Sequence, residues 1–234
     1  MDKDFTTRTS LIVGDSGVEK LKNSSVIVFG VGGVGSFAAE ALARAGVGNL
    51  TIVDFDDVDV TNINRQLPAL HSTVGKYKVD VMKDRILDIN PSINIVAIKK
   101  LYNEETSEEI LNKKYDYVVD AIDMVSSKIH LIQICKEKNI PIISSMGMGN
   151  KLDPTKIKVD DIHKTSVCPL ARVIRKELKD RRIKKLKVVY STENPRPLSK
   201  KIMNKNKVTP GSISFVPSVA GLTIASLVVN ELLD

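Results

Sequence analysis

The chain has almost no cysteine: 234 residues contain two, Cys135 and Cys168. Two thiols cannot build a disulfide framework or a four-thiolate zinc site, so no zinc centre is expected. A reducing, cytoplasmic compartment fits that usage. Histidine is nearly as scarce, and His71, His130 and His163 lack metal-ligand spacing. No apolar N-terminal stretch follows a basic start, so no secretory signal is expected. No membrane-length run is uninterrupted either. The most apolar segment, Val216–Leu233, is broken by Pro217, Ser218, Thr223, Ser226 and Asn230, and reads as a buried core helix. Internal repeats and low-complexity tracts are absent.

What is present describes one soluble globular domain over residues 1–234, with 42% hydrophobic and 27% charged residues. The net charge of +7 is unevenly spread. From Arg172 to Lys207 there are 14 Lys/Arg against Glu177, Asp180 and Glu193, a local net of +11. A basic block in an otherwise slightly acidic chain suggests a polyanion partner, nucleic acid first, or else a solvated lysine-rich face.

Through Ser145 the pattern alternates strand and helix. Short strands are expected at Val26–Phe29, Leu50–Val53, Ile93–Ile98, Tyr117–Ala121 and Pro141–Ser145. Helices are expected at Asp15–Lys22, Val34–Ala45, Lys76–Asn90, Glu105–Lys113 and Ser126–Lys138. Such alternation predicts an α/β, Rossmann-like, doubly wound and mostly parallel sheet. After Ser145 come a polar, lysine-rich segment, an amphipathic helix Pro169–Arg182 and a strand Leu186–Ser191. A proline- and lysine-rich loop, Asn194–Pro210, a strand Gly211–Val216 and a final core helix follow. The expected division is a nucleotide-binding core at 1–147, a basic helix-and-loop insertion for substrate at 148–210, and a returning strand and helix at 211–234.

Gly30-Val31-Gly32-Gly33-Val34-Gly35 fits G-x-G-x-x-G at a strand-to-helix junction. Glycines there let the backbone approach a phosphate, and the helix N-terminus offers free N–H groups. Asp54 ends the next strand, where a carboxylate accepts from ribose hydroxyls. Arg65 and Lys78 lie just past that strand. Hydride transfer has no need of them, whereas attack on the α-phosphate of ATP does, because the in-line transition state spreads negative charge over the phosphate oxygens. Asp123 sits beyond the strand ending near Asp120 and could hold magnesium against a triphosphate. Arg65, Lys78 and Asp123 are thus the candidate catalytic residues, and ATP and magnesium the candidate cofactors.

The glycine loop, Asp54, Asn62, Arg65-Gln66, Val74-Gly75 with Lys78, Asn90-Pro91, and Asp120-Ala121-Ile122-Asp123 with Lys128 form one set. It resembles the ubiquitin-activating-type adenylation family, which includes the bacterial activators of molybdopterin and thiamine sulfur carriers. The resemblance runs from about Arg8 to Gly147. It implies that Gly30, Gly32, Gly33, Gly35, Asp54, Asp56, Asn62, Arg65, Gln66 and Lys78 bind the nucleotide. Asp54 would hold the ribose, and Asn62, Arg65 and Lys78 the phosphates. It further implies a homodimer in which Arg8 reaches into the partner's ATP site.

The chain departs from the sulfur-carrier activators in lacking their two zinc-binding CxxC pairs. Met148–Ile157, Asp161–Thr165, Pro169–Arg172 and Ser191-Thr192-Glu193 resemble instead the tRNA threonylcarbamoyladenosine dehydratase branch. That resemblance implies a tRNA carrying threonylcarbamoyladenosine as substrate. ATP would activate its threonyl carboxylate, next to the anticodon, and the side chain would then cyclise. A cysteine desulfurase or sulfur-acceptor system is implied as a partner. The basic block suits an RNA backbone, with Arg172, Arg175, Lys184, Lys185 and Lys187 as the expected tRNA-binding residues.

The chemistry is coherent without a covalent protein nucleophile. A carboxylate is a poor electrophile. Adenylation creates a leaving group, and a nucleophilic atom of the same side chain closes the ring with loss of AMP. Proximity can supply about 7–11 kcal/mol of that barrier. Cys168 is therefore read as buried or incidental and Cys135 as core. Competing readings are an activator of a ubiquitin-like protein, an NAD-linked oxidoreductase, and a non-catalytic RNA-binding module.

Overall fold

The computed structural model describes residues 4–204 and 207–234. Its centre is a seven-stranded sheet. The strands are β1 (Ser25–Phe29), β2 (Asn49–Val53), β3 (Asn94–Ile98), β4 (Tyr117–Asp120), β5 (Ile142–Ser145), β6 (Ile157–Asp161) and β7 (Lys187–Ser191), in the spatial order β3-β2-β1-β4-β5-β7-β6. Six run parallel, and β6 pairs antiparallel with β7 at the edge. The β4 strand is buried throughout and β1 and β2 nearly so, as expected where helices cover both faces.

The alternation of side chains in β1 sorts the core into two layers. Val26 and Val28 join the layer formed with α1 (Thr7–Asn23), α2 (Gly35–Ala45), α3 (Lys78–Ile89) and α7 (Phe215–Leu233). Ile27 and Phe29 join the layer formed with α4 (Glu104–Ile110), α5 (Val125–Glu137) and α6 (Pro169–Asp180). This is the α/β, doubly wound architecture expected of the alternation. The chain order reverses between β1 and β4, and open α/β sheets hold ligands at such a point.

Three expectations change. Gly211–Val216 is not a strand. The backbone of Gly211 exchanges hydrogen bonds with Asn150 (N to Oδ1 2.6 Å; Asn150 N to O 2.8 Å), and Ser212 O accepts from Asn64 Nδ2. With those groups satisfied by loops, no sheet edge is needed, and the helix starts at Phe215. Pro217 falls in its first turn, where a missing N–H costs nothing. Second, the polar stretch after Ser145 contains β6, whose half-buried to exposed and largely charged side chains suit an edge strand but hide its alternation. Third, the first helix begins at Thr7, with a break in helical geometry at Gly14 (φ 74°, ψ 167°). The Asn194–Pro210 segment carries a small antiparallel pair, β8 (Met203–Asn204) with β9 (Lys207–Val208). The α7 helix is long and apolar enough to cross a membrane. Here Val216, Ala220, Ile224, Ala225 and Val228 are buried in the core.

Candidate active site

A cavity of about 380 Å³ opens at the C-terminal ends of β1, β2, β4 and β5. Gly30, Gly32, Gly33, Asp54, Asp56, Asn62, Arg65, Gln66, Lys78 and Asp123 all line it. The fold therefore brings together nearly every residue that the sequence nominated for nucleotide chemistry.

The glycine loop is shaped by close approach. Gly30 has φ +84°, and a Cβ there would lie 2.7 Å from the Ala121 carbonyl oxygen. Gly35 does not face the cavity. It opens α2, and a Cβ would lie 1.8 Å from Gly30 O, so this glycine lets the helix seat against the loop rather than touching a ligand.

The Asp54 carboxylate accepts from Val31 N (2.6 Å) and Asp56 N (2.9 Å). It props the glycine loop and keeps spare lone pairs toward the cavity. Burial raises its pKa above the ordinary aspartate value, opposed by those two backbone bonds and by Lys78.

Two cations reach the cavity from the segment after β2. Lys78, at the start of α3, is only 5% exposed, and its Nζ lies 2.8 Å from Asp56 Oδ2. Arg65 is half-buried and donates to Thr61 O (3.0 Å) and Asn64 Oδ1 (2.9 Å). Burial lowers its pKa, yet a guanidinium stays charged at neutral pH. The one-turn helix Val60–Asn62, capped by Asp59, delivers both Asn62 and Arg65. Buried Gln66 sits beside Gly32, and among the described residues its Oε1 has no hydrogen-bond partner.

Asp123 follows β4, exposed and lining the cavity. Among the described residues, no cluster of three or more His, Cys, Asp and Glu side chains forms. Cys168 and Cys135 are both buried, and burial pushes the Cys135 thiol up to about 12.

Arg8 lies exposed on α1, outside the cavity of its own chain. The nominated basic residues divide. Arg172, Lys184 and Lys185 are exposed. Arg175 is partly buried and donates to Thr165 O (2.8 Å) and Thr165 Oγ1 (2.6 Å). Lys187 pairs with Glu231. Arg175 is thus held by the fold, whereas Lys187 is an exposed residue with one surface ion-pair partner.

Other lining residues were not nominated for the site, although Met148 and Gly149 lie in a stretch that carries the dehydratase resemblance. Lys100, Leu101 and Tyr102 follow β3, Ser145 ends β5 and Met146–Gly149 follow it, and Pro210–Ser212 precede α7. For the residues after β3 and β5, a signal was their place just past predicted strand ends; Pro210–Ser212 offered none.

A glycine loop against a helix start, a ribose-type carboxylate and two cations across one cavity define a nucleotide-binding α/β domain built for phosphate chemistry. The ThiF family model matches residues 6–234, and the chain belongs to that family. It is 51% identical over 238 residues to the tRNA threonylcarbamoyladenosine dehydratase of Bacillus subtilis, covering 97% of this chain and 94% of that one. A crystal structure of the Escherichia coli tRNA N6-threonylcarbamoyladenosine dehydratase in complex with ATP superposes with a TM-score of 0.88. Its sequence identity is 34%, over 96% of this chain and 92% of that one. The molybdopterin-synthase adenylyltransferase of Escherichia coli is 38% identical, but over 132 residues, covering 56% of this chain and 53% of that one.

Proposed function

We propose that this chain uses ATP to adenylate the carboxylate of threonylcarbamoyladenosine in tRNA, next to the anticodon, and so drives its cyclisation. The observation that carries the reading is the convergence of the glycine loop, Asp54, Arg65 and Lys78 on one cavity. The near full-length likeness to enzymes of that name favours it over activation of a ubiquitin-like sulfur carrier, where the likeness covers 56% of the chain.

Glycine-loop N–H groups and Asp54 hold the phosphates and ribose, with Asp56, Asn62 and Gln66 around them. Arg65 and Lys78 face the α-phosphate. The substrate carboxylate attacks phosphorus, pyrophosphate departs, and the two cations stabilise the charge that builds on the phosphate oxygens. A nucleophilic atom of the threonylcarbamoyl group then attacks the activated carbonyl, and AMP leaves. Asp123 is the carboxylate that would hold magnesium, a hard cation suited to one carboxylate plus phosphate oxygens, and the ion would neutralise triphosphate charge.

Residues 1–147 form the ATP-binding core, 148–210 the tRNA-facing segment, and 211–234 the closing helix. Arg172, Lys184 and Lys185 meet the RNA backbone. Arg8 serves the partner's site in a homodimer, and exposed Phe5, Leu11 and Ile12 beside it offer apolar surface for that contact. A sulfur-acceptor system is a further partner, and the enzyme works in the cytoplasm.

The test is exchange of labelled pyrophosphate into ATP, together with AMP release, using tRNA with and without the threonylcarbamoyl group. Both should require the modified tRNA. Arg65→Ala and Lys78→Ala should each lower the rate about a hundredfold or more, with smaller losses in ATP affinity. Exchange driven by a ubiquitin-like protein instead would move the assignment to the sulfur-carrier activators.

A further inference from the structure

A complete ion pair lies directly beneath the cavity. The side chains of Lys128, on α5, and Asp120, ending β4, are both fully buried. Lys128 Nζ donates to Asp120 Oδ2 (2.7 Å), Ser144 Oγ (3.1 Å) and Ser145 O (3.0 Å). All three ammonium hydrogens have acceptors. Ser144 Oγ donates in turn to Asp120 Oδ2, and Asp120 Oδ1 accepts from Ile122 N at 3.1 Å. The cluster is closed, and none of its charge is left to meet a ligand.

Such a pair is a poor source of stability, because desolvating two charges offsets their attraction and a hydrophobic replacement is often as stable. What it supplies is geometry. Its three anchors are the last residue of β4 and the last two of β5. The loops leaving those strand ends form one wall of the cavity: Ala121, Ile122 and Asp123 after β4, and Met146 to Gly149 after β5. Lysine suits the position, since a compact ammonium can meet three acceptors around a point, whereas a planar guanidinium cannot.

We infer that Lys128 is a positioning residue for adenylation: it locks the ends of β4 and β5 together and thereby sets Asp123 against the reacting phosphates. The inference rests on the adenylation reading above and deepens it.

The test removes both charges at once, because Lys128→Met alone strands a buried carboxylate and threatens the fold. In Lys128→Met/Asp120→Asn the asparagine still accepts from the Ile122 N–H, so the β4 loop keeps its turn. AMP release from the modified tRNA is measured in this variant, in Asp123→Asn, and in the two combined. The charge-free pair should lower kcat tenfold or more, with ATP still binding one per chain by calorimetry and its KM within threefold. In the Asp123→Asn background the same change should cost less than threefold, since the group being positioned is already lost. An unchanged kcat, or an equal loss in both backgrounds, overturns the inference. Should the charge-free variant fail to fold, Ser144→Ala, which removes one anchor and no charge, carries the same cycle under the same criteria, with a loss of threefold or more expected. A wild-type protein that releases no AMP with modified tRNA sinks the adenylation reading and this inference together; normal variants beside an active wild type sink only the inference.

Discussion

At the scale of single residues, Asp54 has two tasks that work against each other. In the proposed function it is the ribose acceptor facing the cavity, and it also accepts from Val31 N and Asp56 N. Asp54→Ala should therefore cost stability as well as nucleotide affinity, about 1.5–3 kcal/mol for each bond to the charged group that is lost. Thermal melting and calorimetry separate the two. The backbone bonds to Val31 and Asp56 make the two losses comparable. Burial raises the carboxyl pKa, so folding favours the protonated form. That contribution is fully present below the unfolded-state pKa and is lost as pH rises through the folded-state pKa. Ribose binding needs the carboxylate and runs the other way. Adenosine, which has no phosphate to titrate, should bind more weakly as pH falls, starting at a higher pH than an ordinary aspartate would dictate. Asp54→Ala should flatten that profile, and a profile unchanged in the variant would remove Asp54 from the ribose site.

At the scale of elements, the cavity depends on how tightly α7 seats against α2. A Cβ on Gly221 would lie 2.3 Å from Val34 O and 2.9 Å from Phe37 Cβ. Val34 closes the glycine loop, so α7 presses on the nucleotide site from behind. Gly221→Ala should cost about 1–3 kcal/mol through overpacking and weaken ATP binding although it touches no ligand. A melting curve with an ATP titration checks both; wild-type affinity in a destabilised variant would show that α7 supports the core alone. Elements were legible where apolar periodicity was strong. The strands β1, β2 and β4 and the helices α2, α5 and α6 lie within a residue or two of their predicted spans. The β6 strand was hidden because its side chains are charged. Gly211–Val216 misled because β-suited side chains were present, while their backbone partners lay in distant loops at Asn150 and Asn64.

At the scale of the whole molecule, the basic block is smaller in effect than its count suggests. Arg175 is held by Thr165, and Lys187 is paired with Glu231. Reversing Lys187 would set a carboxylate against Glu231 and confuse folding with binding. Lys184→Glu/Lys185→Glu is the cleaner probe, since both side chains are exposed. It should weaken tRNA binding at low salt and make the slope of log K against log salt shallower by about 1.5 to 2, with ATP affinity and melting temperature nearly unchanged. An unaltered slope would assign these lysines to a solvated surface.

The sequence by itself determined the sheet's parallel character, the glycine loop and the nomination of Asp54, Arg65, Lys78 and Asp123. Each of those rests on local chemistry: apolar periodicity, backbone space, or a charge at a strand end. Only the tertiary structure decided that Gly35 serves packing, that Arg175 is held by Thr165 while Lys187 pairs with Glu231 at the surface, and that Lys128, Asp120 and Ser144 meet beneath the cavity. Those outcomes depend on which strand ends and helix faces become neighbours. The sequence set Lys128 beside Asp120 in one motif, but nothing in it showed that the two would pair until α5 folds back over β4 and β5 and takes both out of water.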